Sequence, residues 1–144
     1  MSCGDVDEVW KFFCFRANNY RSSVLYEWFK HLDNSERVEV LVELRVLLGK
    51  LKTRRRENWV RPEFSPLTGK WRDLYEIRFK KNKKQYRFIG CFGIGKCEFV
   101  ILVQGIKQKS DFYSRNCPNA LERRKSLCQS EGRVVEFKFT GNLE

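Results

Sequence analysis

The stretch from Trp71 to Tyr113 constrains this chain more than any other. Leu74-Tyr75-Glu76-Ile77-Arg78-Phe79 alternates, which predicts a strand with Tyr75, Ile77 and Phe79 on one face and Glu76, Arg78 and Lys80 on the other. Lys81-Asn82-Lys83-Lys84 predicts a turn, with Asn82 suited to a positive φ. Residues 85–92 return as a second strand, and Gly93-Ile94-Gly95-Lys96 turns again. Cys97-Glu98-Phe99-Val100-Ile101-Leu102-Val103 is short, β-branched and almost wholly apolar, as a central strand covered on both faces would be. It runs into Gln104-Gly105-Ile106-Lys107-Gln108-Lys109, so a rigid sheet delivers basic side chains at its end. That geometry suits the holding of phosphates.

The flanking segments supply what such a sheet needs to be covered. Residues 9–15 read as a first strand with Trp10, Phe12 and Cys14 on one face. Val24, Leu25, Trp28, Phe29 and Leu32 recur at helical spacing, which predicts a helix over about 22–32 and core packing for its aromatics. Asp33-Asn34-Ser35 caps a second helix over about 35–48, with the stripe Val40, Leu41, Leu44, Leu47 and Leu48 and with Gly49 as its stop. The two form a hairpin able to cover one sheet face. His31, the only histidine, falls on the first helix and away from the basic sheet. Beyond the third strand of the meander, Asn116-Cys117-Pro118 predicts the start of a further helix with Leu121, Arg124 and Cys128 on one side. Residues 132–139 alternate as a last strand at a sheet edge.

Residues 50–70 lack periodicity, hold Lys50, Lys52, Arg54, Arg55, Arg56 and Arg61, and carry Pro62 and Pro66 against regular structure. A long loop of this kind in a compact domain is usually functional or mobile. The formal net charge is +11, and its excess lies between residues 50 and 128, while both flanks are slightly acidic. Charge concentrated in this way favours nucleic acid or an acidic partner surface over general solubility. At 144 residues the expectation is one domain over 1–144, with a basic loop at 50–70 and a short extension at 130–144. No apolar run reaches the roughly 20 residues of a membrane helix, and the acidic start has no signal-peptide pattern, so the expected address is cytoplasmic. The six cysteines form no CxxC or zinc-like pattern, and buried free thiols with no metal and no cofactor are expected.

The order strand, helical hairpin, three-stranded meander and terminal helix resembles the RelE/ParE toxin superfamily, and within it the HigB-type, phage-derived branch. Residues 74–79, Gln85-Tyr86-Arg87-Phe88, residues 103–109 and the proline-started helix from Cys117-Pro118 carry the likeness, which spans about 9–128. It implies an α+β, RelE-like fold with an antiparallel twisted sheet, an N-terminal helical hairpin and a C-terminal helix. It also implies a type II toxin that cuts messenger RNA on the ribosome with the 2′-hydroxyl as internal nucleophile. Its partners would be the ribosome with its messenger and a cognate antitoxin of helix-turn-helix type.

By this resemblance the catalytic residues match Arg78, Arg87, Lys107 and Tyr113, with Glu76 as a rival base. Fixed Arg78 and Arg87 would stabilise charge building on the phosphate, and Lys107, Tyr113 and Glu76 are the candidates for proton transfer. Gln104 stands where HigB-like relatives often carry histidine. RNA contacts are expected from Lys52, Arg54, Arg55 and Arg56 of the loop, Lys80, Lys83 and Lys84 of the hairpin, and Lys109. Two other classes compete: a ParE-like inhibitor of DNA gyrase, which needs no RNA-cleaving residues, and a non-catalytic module that binds nucleic acid through Trp59, Trp71 and the loop arginines.

Overall fold

A computed structural model describes residues 3–4, 8–17, 22–107 (the side chain of Lys107 apart) and 118–143. In chain order the elements are β1 (Lys11–Phe15), α1 (Val24–Lys30), α2 (Asn34–Lys52), β2 (Phe64–Pro66), β3 (Tyr75–Lys81), β4 (Lys84–Phe92), β5 (Glu98–Lys107), α3 (Pro118–Glu131) and β6 (Val134–Glu136), with single 3-10 turns at Arg56–Asn58 and Gly69–Trp71. The fold is α+β, built on a six-stranded sheet of order β2-β3-β4-β5-β1-β6. The sheet is mostly antiparallel, but β1 pairs with β5 in parallel, Lys11 opposite Glu98 and Cys14 opposite Ile101. An all-antiparallel sheet is therefore corrected to a mixed one: the chain crosses from β1 over the helices before the meander forms, and a parallel neighbour requires such a crossover.

The period-two pattern of the meander is realised as expected. Lys81 pairs with Lys84, so Asn82 and Lys83 make a two-residue loop, both at positive φ (52° and 67°), the signature of a type I′ turn. Tyr75, Ile77 and Phe79 join Phe12, Cys14 and Phe88 on one face, under Leu25 and Phe29 of α1 and Val40, Leu44, Leu47, Leu48 and Leu51 of α2. The opposite face carries Phe15, Ile89, Cys91, Val100, Leu102 and Val103, and α3 packs there through Leu121 and Cys128. The β4–β5 register shifts between Ile89 and Gly90. A Cβ at Gly90 would lie 2.1 Å from the Val100 carbonyl oxygen and 2.6 Å from the Phe99 ring, so only glycine lets the strands close at this bulge.

Four expectations are overturned. Helix α2 runs through Gly49 to Lys52, capped by Thr53. Glycine inside a helix costs about 1 kcal/mol, which burial of the following Leu51 offsets. The basic loop is not featureless: Phe64–Pro66 adds an edge strand, Phe64 opposite Ile77 and Pro66 opposite Tyr75, and an edge is where a sheet tolerates proline. Trp59 is core, 4% exposed; its Nε1 donates to the carbonyls of Leu51 (3.0 Å) and Arg54 (3.1 Å), so it offers no stacking surface to nucleic acid. Finally, Cys3 and Cys97 form a disulfide, while Cys14, Cys91 and Cys128 are buried free thiols. Cys117 lies outside the described residues.

The C-terminal segment straps the outer side of α2. Arg45 donates to the carbonyls of Lys138 (3.0 Å) and Gly141 (2.6 Å), and Phe137 and Leu143 are buried in the helix-side core. Among the described residues no helix is long and apolar enough to cross a membrane.

Candidate functional site

Alternation along β3 places Glu76 and Arg78 on the sheet face that α3 shares, and the β3–β4 register sets Arg87 directly opposite Arg78. Glu76, only 1% exposed, lies between them. Its Oε1 accepts from Nη1 of Arg78 at 3.0 Å and, in a very short contact, from Nη1 of Arg87. Arg78 is held from a second side, where its Nε donates to the carbonyl of Pro62 at 2.8 Å and its backbone N–H to that of Glu63 at 2.8 Å. The β2 loop therefore fixes the guanidinium from outside the sheet. Arg87 is buried. Among the described residues the two guanidiniums share the carboxylate of Glu76.

The next strand brings one further expected residue toward this cluster. Gly105 of β5 pairs with Arg87, and two residues on, Lys107 pairs with Gln85, a step of about 7 Å along the strand. Tyr113 and Lys109 lie outside the described residues. Gln104 is engaged elsewhere, its Nε2 donating to the Val24 carbonyl at 3.4 Å. Among the described residues no group of three His, Cys, Asp or Glu could hold a metal ion. The free thiols sit on unreactive ground: burial pushes Cys91 up to about 12 and Cys128 up to about 11, and raises Cys14 as well, so none is a ready thiolate.

The lysines and arginines expected to touch RNA fall into two groups. Lys80, Lys83 and Lys84 cluster at the β3–β4 turn. Lys84 is committed inside the protein, its Nζ 2.9 Å from Glu36 Oε2, and the Tyr86 hydroxyl donates to the same oxygen in a short contact. Hydrogen bonds from Tyr86 and Lys84 hold the Glu36 carboxyl below its usual range, while burial and Glu36 push the Tyr86 phenol up. Lys80 and Lys83 are exposed. The other group lies near the far end of β3, about 20 Å away. There the Arg56 guanidinium sits 3.9 Å over the Phe92 ring and donates to the Tyr75 hydroxyl at 2.6 Å. Lys52 Nζ sits 4.7 Å over Phe139, and Arg54 and Arg55 are exposed. The Arg78–Glu76–Arg87 cluster lies between the two groups along the strands.

Sequence reading missed the anchoring role of Pro62 and the pairing of α2 with the hairpin. The acidic residues Glu36, Glu39 and Glu43 at helical spacing opposite Lys81, Asn82 and Lys84 were the available signal for the latter. Arg124, expected on the same side of the last helix as Leu121 and Cys128, reaches the Leu102 carbonyl with its Nη1 at 2.6 Å and sets its guanidinium 5.0 Å from the Phe15 ring.

This arrangement of a helical hairpin, a meander bearing two cross-strand arginines, and a covering helix coincides with a family match. Residues 27–125 match the family described as Phage derived protein Gp49-like (DUF891), and the chain belongs to this phage-derived, toxin-like family of the RelE/HigB-type toxin group. The matched span runs from α1 into α3 and leaves β1, β6 and the C-terminal strap outside it. No curated protein and no solved structure gives a significant match.

Proposed function

We propose that this protein is the toxin of a type II toxin–antitoxin pair and that it cuts messenger RNA on the ribosome, in the cytoplasm, with residues 1–144 acting as one toxin domain. The observation that carries the reading is the Arg78–Arg87 pair, set opposite each other on two strands and both held by the carboxylate of Glu76. Such a preset cationic cleft suits a phosphate that gains negative charge in the transition state.

The chemistry needs no external nucleophile. The 2′-oxygen attacks the adjacent phosphorus while its proton passes to a base. The bond to the 5′-oxygen then breaks, and that oxygen takes a proton from an acid, leaving a 2′,3′-cyclic phosphate. Arg78 and Arg87 hold the phosphoryl oxygens, Lys107 moves the proton and Tyr113 orients the nucleotide. Glu76 is a positioning residue: both guanidiniums occupy its Oε1, which supports a role in aiming the arginines rather than in taking a proton. The toxin-like family implies a cognate antitoxin, and a helix-turn-helix protein with an acidic segment would suit this positive surface.

The test is cleavage of messenger on programmed ribosomes, with the new ends mapped and their chemistry identified. Wild-type protein should leave 2′,3′-cyclic phosphate ends, and Arg78→Ala should slow cleavage by about 10²-fold or more. Growth arrest with intact messenger and inhibited gyrase would overturn the reading.

A further inference from the structure

A cavity of about 380 Å³ opens beside the arginine cluster, lined by Pro62, Glu63, Arg78, Phe79, Lys80 and Gln85. Its volume is within the range of small-ligand pockets and admits a purine. Arg78 belongs to both places: it lines the cavity and its Nη1 reaches Glu76 at 3.0 Å. Anything bound in the cavity is therefore adjacent to whatever the two arginines grip. Lys80 and Gln85 are register partners one step along the strands from Arg78 and Arg87, about 7 Å away.

The lining has a specific chemical imbalance. Pro62 and Phe79 give apolar surface, Arg78 and Lys80 are donors only, and Gln85 can donate and accept. Glu63 is the sole carboxylate in the lining and makes no ion pair among the described residues. A carboxylate at the rim of a phosphate-gripping cluster repels the RNA backbone, so it needs a ligand that brings a hydrogen-bond donor. Unstacked bases of single-stranded RNA are read in this way, along their edges and against apolar or guanidinium surfaces. Adenine, cytosine and guanine carry an exocyclic amino donor, and uracil does not.

We propose that this cavity holds one unstacked nucleobase next to the phosphate gripped by Arg78 and Arg87, and selects against uracil through an amino group donated to Glu63. The substrate class rests on the ribonuclease reading above, but base selection is measurable without cleavage. Full-length protein is titrated against fluorescent RNA pentamers of uridine and against pentamers with a central adenosine, cytidine or guanosine. The amino-bearing pentamers should bind about tenfold more tightly than pentauridine. Glu63→Ala should erase that difference without weakening pentauridine binding, and Gln85→Ala should reduce it; thermal unfolding of both variants verifies that they fold. In parallel, wild-type cut sites on programmed messengers should show a depletion of uracil at one position that Glu63→Ala removes. Equal binding of all four pentamers by the wild type, or a preference that survives Glu63→Ala, overturns the cavity assignment even if cleavage is robust. A preference that depends on Glu63 without any cleavage sustains the cavity assignment and removes the ribonuclease reading.

Discussion

Arg78 and Arg87 are direct register partners on neighbouring antiparallel strands. Like charges so placed repel and destabilise a sheet. Among the described residues a carboxylate from the same face, Glu76, relieves them. Burial of such a cluster contributes little net stability, because desolvation consumes most of the Coulombic gain. A sheet selected only for stability would carry apolar side chains at these three positions, as it does nearby at Ile89 and Val103. Stability alone therefore does not account for the cluster.

Glu76→Gln should be costly. It keeps the shape but removes the Glu76 charge from a buried Arg87, and breaking a buried pair from one side typically costs about 3–5 kcal/mol. The half-buried Arg78 can turn toward water, so the lower end is expected. Urea denaturation should show the loss as a lower midpoint. The double substitution Glu76→Leu with Arg87→Leu should recover most of the stability and none of the cleavage. A neutral Glu76→Gln would mean that the carboxylate does not hold the arginines.

Acid should loosen the contact between α2 and the β3–β4 turn. Hydrogen bonds from Tyr86 and Lys84 hold the folded-state carboxyl of Glu36 below its ordinary value of 4.5. A carboxyl depressed on folding binds fewer protons in the native state, so its contribution is complete above that ordinary value and is lost as the pH falls through the lower folded one. Stability measured from pH 6 downward should fall on this limb, and Glu36→Gln should flatten it while lowering the plateau at neutral pH. An acid limb of the same steepness in the variant would place the titration elsewhere.

The parts of this fold that were readable in advance are those whose signal is local and periodic. Alternation from Tyr75 to Phe79 fixed which side chains meet the helices, and by the same parity it put Arg78 with Glu76. Asn82 announced the tight turn. What could not be read depends on partners distant in sequence. Gly49 looks like a helix stop until Leu51 has a core to enter, and Phe64-Ser65-Pro66 looks like loop until β3 offers an edge. Trp59 looks available for stacking until Leu51 and Arg54 present their carbonyls. In the site, the two arginines were singled out by the resemblance to the toxin superfamily, whereas their shared carboxylate and the hold of Pro62 on Arg78 are three-dimensional facts.

The Cys3–Cys97 disulfide ties the N-terminal segment to the turn before β5 across a sequence separation of 94. Closing a loop of that length restricts the unfolded chain, and such bridges typically contribute about 2–4 kcal/mol. Cys3→Ser should lower the denaturation midpoint of oxidised protein by that amount. Reductant should bring the wild type down to the level of the variant and leave the variant unmoved. Unequal midpoints under reductant would show that the substitution costs something besides the bridge.

Salt dependence separates the basic side chains that meet RNA from those that serve the fold. Each phosphate contact to single-stranded RNA adds about 0.7 to the slope of log K against log salt. Arg56 is occupied by Phe92 and Tyr75, and the exposed Arg54 and Arg55 are proposed to dock on RNA. Neutralising Arg54 and Arg55 to glutamine should reduce the slope by about 1.4 if both meet phosphates. Arg56→Gln should behave in the opposite sense: it removes a guanidinium stacked on the aromatic cluster, so stability falls while the slope stays near wild type. Binding isotherms at four or more salt concentrations decide the matter, and an unaltered slope in the Arg54 and Arg55 variant would make this loop a spectator to RNA binding.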